Sequence, residues 1–249
     1  MNYNPYLLSN KTILITGASS GIGRATAIEC SKLGADVIIT ARNEDKLKET
    51  YALLGKGNHS YIVADLTSEE NIDHLTKEIS MIDGCVHCAG FSIISPIQFI
   101  STDVLNKTFF INSFAPMILS KHLIKKKKFK RGSSVVFVSS IAGSNNTSHG
   151  SSVYGSSKSA LNGFMRYAAL ELADKGIRCN AVYPGRVNTD FIMHENIPDE
   201  DRQKDIEFYP LKRYGEPIEI AHAIIYFLSD ASSWVTGSSI VIDGGRTLR

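Results

Sequence analysis

Tyr154 and Lys158 stand four residues apart in a segment whose pattern predicts a helix from about Ser152 to Lys175. That spacing stacks the two side chains a turn apart on one helix face. A free tyrosine, with a pKa near ~10, exchanges its proton poorly at neutral pH, but an ammonium held about 4 Å away favours the phenolate. At an effective dielectric of about 20 the attraction is on the order of 4 kcal/mol, roughly three pKa units before the cost of desolvating the lysine is subtracted. Tyr154 can then work as an acid or a base. Just upstream, Ser139 and Ser140 close the apolar run SSVVFVS and stand at the carboxyl end of a strand. Taken singly, a serine there forms turns and a lysine on a helix snorkels from an apolar face.

These residues need a frame, and its clearest piece is KTILITGASSGIG, residues 11 to 23. Ile13, Leu14 and Ile15 form a short apolar run suited to a central parallel strand covered on both faces. Gly17, Gly21 and Gly23 follow, allowing a tight turn, close approach of backbone to a pyrophosphate, and packing of the next helix on the sheet. A helix from about Ile22 to Leu33 then turns its free N–H groups and positive dipole end toward an anion. Ser19, Ser20 and Ile22 complete this cradle. The spacing G-x-x-x-G-x-G departs from G-x-G-x-x-G and counts as a variant dinucleotide loop.

Strands and helices alternate through the rest of the chain. Strands are expected at 36–40, 61–64, 85–87, 133–139, 178–183 and 239–242. Helices are expected from the Asn43 cap to about 54, from a Thr67/Glu70 capping box to about 79, from Ser101 or Thr102 to about 127 with a kink at Pro116, and over 217–228. This predicts an α/β fold, a Rossmann-like doubly wound parallel sheet of about seven strands in one domain spanning residues 1–249. The charged stretch from 189 to 214 is the candidate substrate lid, with a solvated insertion as the alternative.

With 249 residues and a net charge of +2, the chain carries no electrostatic footprint for nucleic acid. The N-terminus MNYNPYLLSNK lacks a basic n-region and a long apolar segment, and no later run approaches membrane-spanning length, so a cytoplasmic protein is expected. Cys30, Cys85, Cys88 and Cys179 read as reduced, buried packing residues, because Cys85 and Cys88 have no second Cys/His pair at zinc spacing. Activity without metal or disulfide is expected.

TGASSGIG, the serine after VVFVS, YGSSK and CNAVYPGRVNTD together resemble the short-chain dehydrogenase/reductase family over essentially the full chain. The resemblance implies hydride transfer between a nicotinamide cofactor and a ketone or secondary alcohol. It implies Tyr154 as general acid/base, Lys158 as the residue that lowers its pKa and holds the nicotinamide ribose, Ser140 as hydrogen-bond partner of the substrate carbonyl, and Asn112 as holder of a water linking Lys158 to solvent. It also implies that Asp65 and Leu66 contact adenine, that Cys88, Ala89 and Gly90 lie along the ribose, and that Pro184, Gly185, Val187 and Thr189 meet the carboxamide. The C-terminal WVTGSSIVIDGG implies a subunit contact, hence a homotetramer or homodimer. Where NAD-specific relatives carry Asp, this chain has Ala41 followed by Arg42, which points to NADP(H), with a further donor from Ser19 or Ser20.

Two departures stand out. His87 and Cys88 replace the family's usual Asn-Asn before Ala89-Gly90, removing an amide that ties strands together. Ser140 and Tyr154 are fourteen apart, one more than the common spacing, and the intervening GSNNTSHGSS is polar. The expected substrate is a 3-oxoacyl carrier-protein thioester, with a sugar or other polar alcohol as the alternative; a non-catalytic dinucleotide sensor is the reading outside enzymes. The basic run Lys125 to Lys128, with Lys130 and Arg131, is placed at a helix C-terminus, where cations complement the dipole, or alternatively dock an acidic carrier together with Lys175.

Overall fold

Short β-branched runs separated by capped helices form seven strands, all parallel: β1 Thr12–Thr16, β2 Asp36–Ala41, β3 Ser60–Val63, β4 Ile82–His87, β5 Phe129–Val138, β6 Arg178–Pro184 and β7 Ser239–Ile242. The structure, a computed structural model, describes residues 3–144, 146–189 and 198–248. Strand order is β3-β2-β1-β4-β5-β6-β7, so connections run outward on both sides of the β1/β4 boundary. A crevice opens at the carboxyl ends of strands at such a switch point, and it is where a ligand is expected. The expected α/β doubly wound sheet is therefore the observed one.

Helices cover both faces. Among the described residues they are α1 Gly21–Lys32, α2 Glu44–Ala52, α3 Glu69–Glu78, α4 Thr102–Phe109, α5 Ala115–Lys125, α6 Ser152–Leu172, α7 Asp199–Glu207 and α8 Pro217–Leu228. Alternation along β1 shows the logic: Ile13 and Ile15 pack with Ala27, Ile220 and Phe227 on one face, and Leu14 with Leu75, Leu119 and Met165 on the other. Full burial of such side chains is worth about 1.5–3 kcal/mol each.

Three local expectations are corrected. Thr67 and Glu70 form no capping box: Thr67 Oγ1 donates to Asp65 Oδ1 at 2.8 Å, and Ser68 caps α3 by accepting from the Asn71 N–H. The single helix from 102 to 127 is two helices ending at Lys125, joined by a π turn over Phe110–Phe114. Pro116 does not kink it; lacking an N–H, it sits in the first turn of α5 and denies the Asn112 carbonyl its usual partner four residues on, while the Ala115 N–H reaches back to Phe110. The basic run is not confined to a helix end. Lys130 and Arg131 lie on β5, and Lys126, Lys128 and Lys130 bind Asp73, the Ile79 carbonyl and Asp83, lashing this edge to α3 and β4.

His87 fills the space of the missing amide. Its ring stacks on Phe137 with centroids 4.8 Å apart, and Nε2 lies 3.1 Å from Ser120 Oγ. The strand tie itself passes to Thr16, whose Oγ1 accepts from the N–H groups of Cys88 (3.0 Å) and Ala89 (3.2 Å). Burial pushes the His87 imidazole down to about 3. Between that value and the ordinary ~6.5, only the unfolded chain takes up the proton, so stability is intact above pH ~6.5 and drains away as pH falls. Going from pH 7 to 4 is expected to cost about 3 kcal/mol through this group, or roughly 6–12 °C in Tm. His87→Asn should flatten that acid limb in thermal unfolding; an unchanged limb would remove the histidine from the account.

Candidate active site

The crevice is a cleft of about 950 Å³, at the upper end of the ~300–1,000 Å³ typical of small-molecule sites. Its floor is the β1–α1 turn. Gly17 has φ +66°, and a Cβ on it would stand 2.8 Å from the Ala89 backbone. A Cβ on Gly23 would overlap the Gly17 carbonyl, so both glycines are required by close approach. Ser20 occupies the N-cap of α1 without a side-chain cap bond, and the first turn holds no acidic residue. The N–H groups there are thus left for an anion in the cleft. Sequence reasoning missed what braces this loop: Arg24, one residue past the last glycine, donates to the Ser19 carbonyl (2.6 Å), Thr50 Oγ1 (2.9 Å) and Glu49 (3.0 Å).

The opposite wall is built from β5 and α6. Ser140 Oγ accepts from the Ala142 N–H at 3.1 Å, which fixes the oxygen and leaves its proton free to be donated into the cleft. Lys158 is only 4% exposed; its Nζ donates to the Val138 carbonyl at 2.9 Å and lies 5.9 Å from the centre of the Tyr154 ring. Burial pulls the Lys158 ammonium down to about 8. Cys88 departs from expectation, being only half-buried at the cleft wall while Cys30, Cys85 and Cys179 are buried. Burial pushes all four thiols up, which keeps them protonated.

Apart from Asn112, every catalytic and cofactor-binding candidate from the sequence lines this one cleft. Gly17, Ser19, Ser20, Gly21, Ile22 and Gly23 lie along the loop, with Arg42, Asp65 and Leu66 beyond β2 and β3. Cys88, Ala89 and Gly90 follow β4, Ser140, Tyr154 and Lys158 form the far wall, and Pro184, Gly185, Val187 and Thr189 follow β6. Asn112 is fully buried behind the wall, where its amide donates to the Phe91 carbonyl (2.8 Å) and Ser157 Oγ (3.0 Å) and accepts from the Phe91 N–H (2.8 Å). Part of the candidate lid, residues 190–197, falls outside the described residues; α7 and the turn after it bring Asp205 and Tyr209 to the cleft. Arg186 and Arg246, which sequence reasoning did not single out, line it too. Among the described residues no helix is long and apolar enough to cross a membrane.

A sequence family described as Enoyl-(Acyl carrier protein) reductase matches residues 17–247. The 3-oxoacyl-[acyl-carrier-protein] reductase of Rickettsia felis is 34% identical over 241 residues, covering 97% of this chain and 98% of its own. The Homo sapiens protein of the same name is 34% identical over 243 residues, covering 96% and 99%. Among solved structures, a short-chain dehydrogenase/reductase from Mycobacterium ulcerans superposes with a TM-score of 0.87 at 33% identity, over 98% of this chain and 92% of that one. A Beutenbergia cavernae protein described as an NAD(P)-dependent gluconate 5-dehydrogenase, carrying NADP at low occupancy, gives a TM-score of 0.90 at 27% identity over 99% and 100%. The glycine cradle, the donors on the facing wall and this likeness over nearly the whole length lead to one conclusion: the chain belongs to the short-chain dehydrogenase/reductase family and is an NAD(P)-dependent oxidoreductase acting on CH–OH donors.

Proposed function

We propose that the protein is an NADPH-dependent carbonyl reductase, with 3-oxoacyl thioesters as the leading substrate class. The observation that carries this reading is the convergence of Ser140, Tyr154 and Lys158 on the wall opposite the glycine loop. When bound, the nicotinamide supplies a hydride to the substrate carbonyl carbon. Ser140, its oxygen already held by the Ala142 N–H, donates to the carbonyl oxygen. Tyr154 gives that oxygen its proton, and the Lys158 ammonium stabilises the phenolate left behind. Lys158 also holds the ribose, while Gly17 to Gly23 receive the pyrophosphate and Asp65 and Leu66 flank the adenine. Asn112 has spent both amide protons on Phe91 and Ser157, so its main-chain carbonyl, denied its usual helical partner by Pro116, is the group left to hold a proton-relay water.

NADPH preference follows from Ala41 and Arg42. Arg42 is exposed at the cleft end of β2, and no carboxylate occupies position 41 to repel a 2′-phosphate. Hydrogen bonds to charged groups contribute about 1.5–3 kcal/mol, on the order of ten- to more than a hundredfold in affinity. NADPH should therefore exceed NADH by at least that factor in kcat/KM. Arg42→Ala should abolish most of the preference, and adding Ala41→Asp should invert it. Steady-state kinetics with both cofactors against ketoacyl thioesters, diketones and keto-sugars tests this, and equal kcat/KM for the two in wild type would sink it.

The activity named for the Rickettsia felis and Homo sapiens relatives supports the thioester class. Exposed Lys125, Lys127 and Arg131 offer an acidic carrier its docking charges. Polar Asn146, Ser148 and Ser151 along the cleft favour the second reading, a sugar or other polar alcohol. The chain is proposed to act as a single domain whose segment 189–214 covers the substrate. Its proposed location is the cytoplasm, and a homotetramer or homodimer is supported by apolar side chains left exposed on α4 and α6, including Leu105, Tyr167 and Leu170, and by Trp234 and Leu248 around β7.

A further inference from the structure

Among the described residues, three cations other than Lys158 and Arg42 line the cleft, and two are already paired with carboxylates. Arg186 Nε meets Asp205 at 3.2 Å, a carboxylate that also accepts from the Tyr214 hydroxyl at 2.9 Å. Lys107 meets Asp103 at 2.9 Å. Arg246 differs: among the described residues it has no ion pair, and its guanidinium lies instead over the rings of Phe208 (4.8 Å) and Tyr209 (5.8 Å). Stacking on a ring face orients a guanidinium but leaves its in-plane N–H donors unspent. The backbone under it is fixed. After Gly244-Gly245 the chain turns back, with the Asp243 carboxylate accepting from the N–H groups of Gly245 (3.0 Å) and Thr247 (2.8 Å) and from Thr247 Oγ1 (2.8 Å). The Arg246 N–H itself donates to the Asp243 carbonyl at 3.0 Å. A half-buried guanidinium with unspent donors thus lines the cleft beside Tyr209, whose hydroxyl accepts from the Arg186 N–H just after Pro184-Gly185.

We infer that Arg246 is an anion-binding subsite for the substrate, and that the enzyme reduces small oxo acids bearing a free carboxylate, a further activity beside thioester reduction. A carboxylate accepts two parallel N–H···O bonds from the planar fork, whereas a neutral ester cannot take up the charge. The inference rests on the carbonyl-reductase reading for its chemistry, but its binding component does not.

The test compares 2-, 3- and 4-oxo acids with their methyl esters, and the corresponding hydroxy acids with theirs. Turnover is followed with NADPH, and hydroxy-acid binding to the NADP+-loaded protein by calorimetry. At least one acid is expected to exceed its ester tenfold or more in kcat/KM and in affinity. Arg246→Gln should erase that margin by raising the KM of the acid tenfold or more above any change it makes to the ester, and Arg246→Lys should restore part of it. If none of the acids binds tighter than its ester, if no acid binds at all, or if the margin survives in Arg246→Gln, the carboxylate subsite is overturned, even if neutral ketones are reduced normally. Acid-selective binding without oxidation of NADPH by any compound leaves the subsite standing and removes the reductase reading. A phosphopantetheine thioester is the control for phosphate: if Arg246→Gln weakens it and spares the acids, the subsite serves phosphate and the proposal is wrong.

Discussion

Tyr154→Phe is expected to lower kcat by about 10²–10⁴, the range contributed by a positioned general acid, while cofactor affinity stays within a few-fold of wild type. Phenylalanine retains the ring, its place on α6 and its face toward Lys158 Nζ, 5.9 Å from the ring centre. What leaves is one hydroxyl, and with it the proton that the proposed mechanism transfers to the substrate oxygen. Because the loss falls on the chemical step, kcat and kcat/KM should drop together with KM nearly unchanged. The measurement pairs steady-state kinetics with titration of NADPH fluorescence. Retention of more than a tenth of wild-type kcat would transfer the proton to another group; a parallel collapse of cofactor binding would make Tyr154 a structural residue.

How much of this was legible in the sequence depends on the range of the interactions involved. The β1–α1 turn was readable because its chemistry is local: an apolar run, three glycines and a helix start need only neighbours to take their shape. The pairing of Tyr154 with Lys158 was equally local, set by helix periodicity. Thr67 was misread because two caps compete within two residues, and Asp65 captures the Thr67 hydroxyl first, leaving Ser68 to begin α3. The π turn was hidden for another reason. Proline marks a break, but where the spare residue is absorbed depends on Asn112 and Ser113 finding Phe91 and Ser157 across the packed α6 interface, contacts 21 and 44 to 45 residues away in sequence. The same holds for the lysines of 126 to 130, whose partners on α3 and β4 only the assembled sheet supplies. Arg246 gave a faint signal, a cation just beyond the final glycine pair, yet nothing local says that the C-terminal turn folds over Phe208 and Tyr209.

Lys158→Met separates what this residue does for chemistry from what it costs the fold. The variant should lose at least about two orders of magnitude in kcat and shift its rate–pH profile upward, since the cation that favours the phenolate is gone. Stability moves differently. In the folded protein burial holds the ammonium near 8, against the ordinary 10.5 of the unfolded chain. Below pH ~8 both states are charged, and the full cost of burying the charge is present. As pH rises from about 8 to 10.5 the folded protein gives up its proton before the unfolded one does, so the unfolded state binds more protons and stability rises with pH. Over that window the cost relieved is about 3 kcal/mol. Methionine avoids the cost at every pH but leaves the Val138 carbonyl, bonded by Nζ at 2.9 Å in the wild type, without that donor, a loss of about 1–3 kcal/mol. The two terms nearly cancel at pH 7, so wild type and variant should unfold at similar denaturant concentrations there. At pH 10 the wild type should lead by about 2–3 kcal/mol, because only the lost hydrogen bond then distinguishes them. Urea titrations of both proteins at the two pH values measure the difference directly, and groups common to both drop out of it. A gap that stays constant from pH 7 to 10 would mean that Lys158 is folded into the wall at its ordinary pKa, with the charge solvated through the cleft.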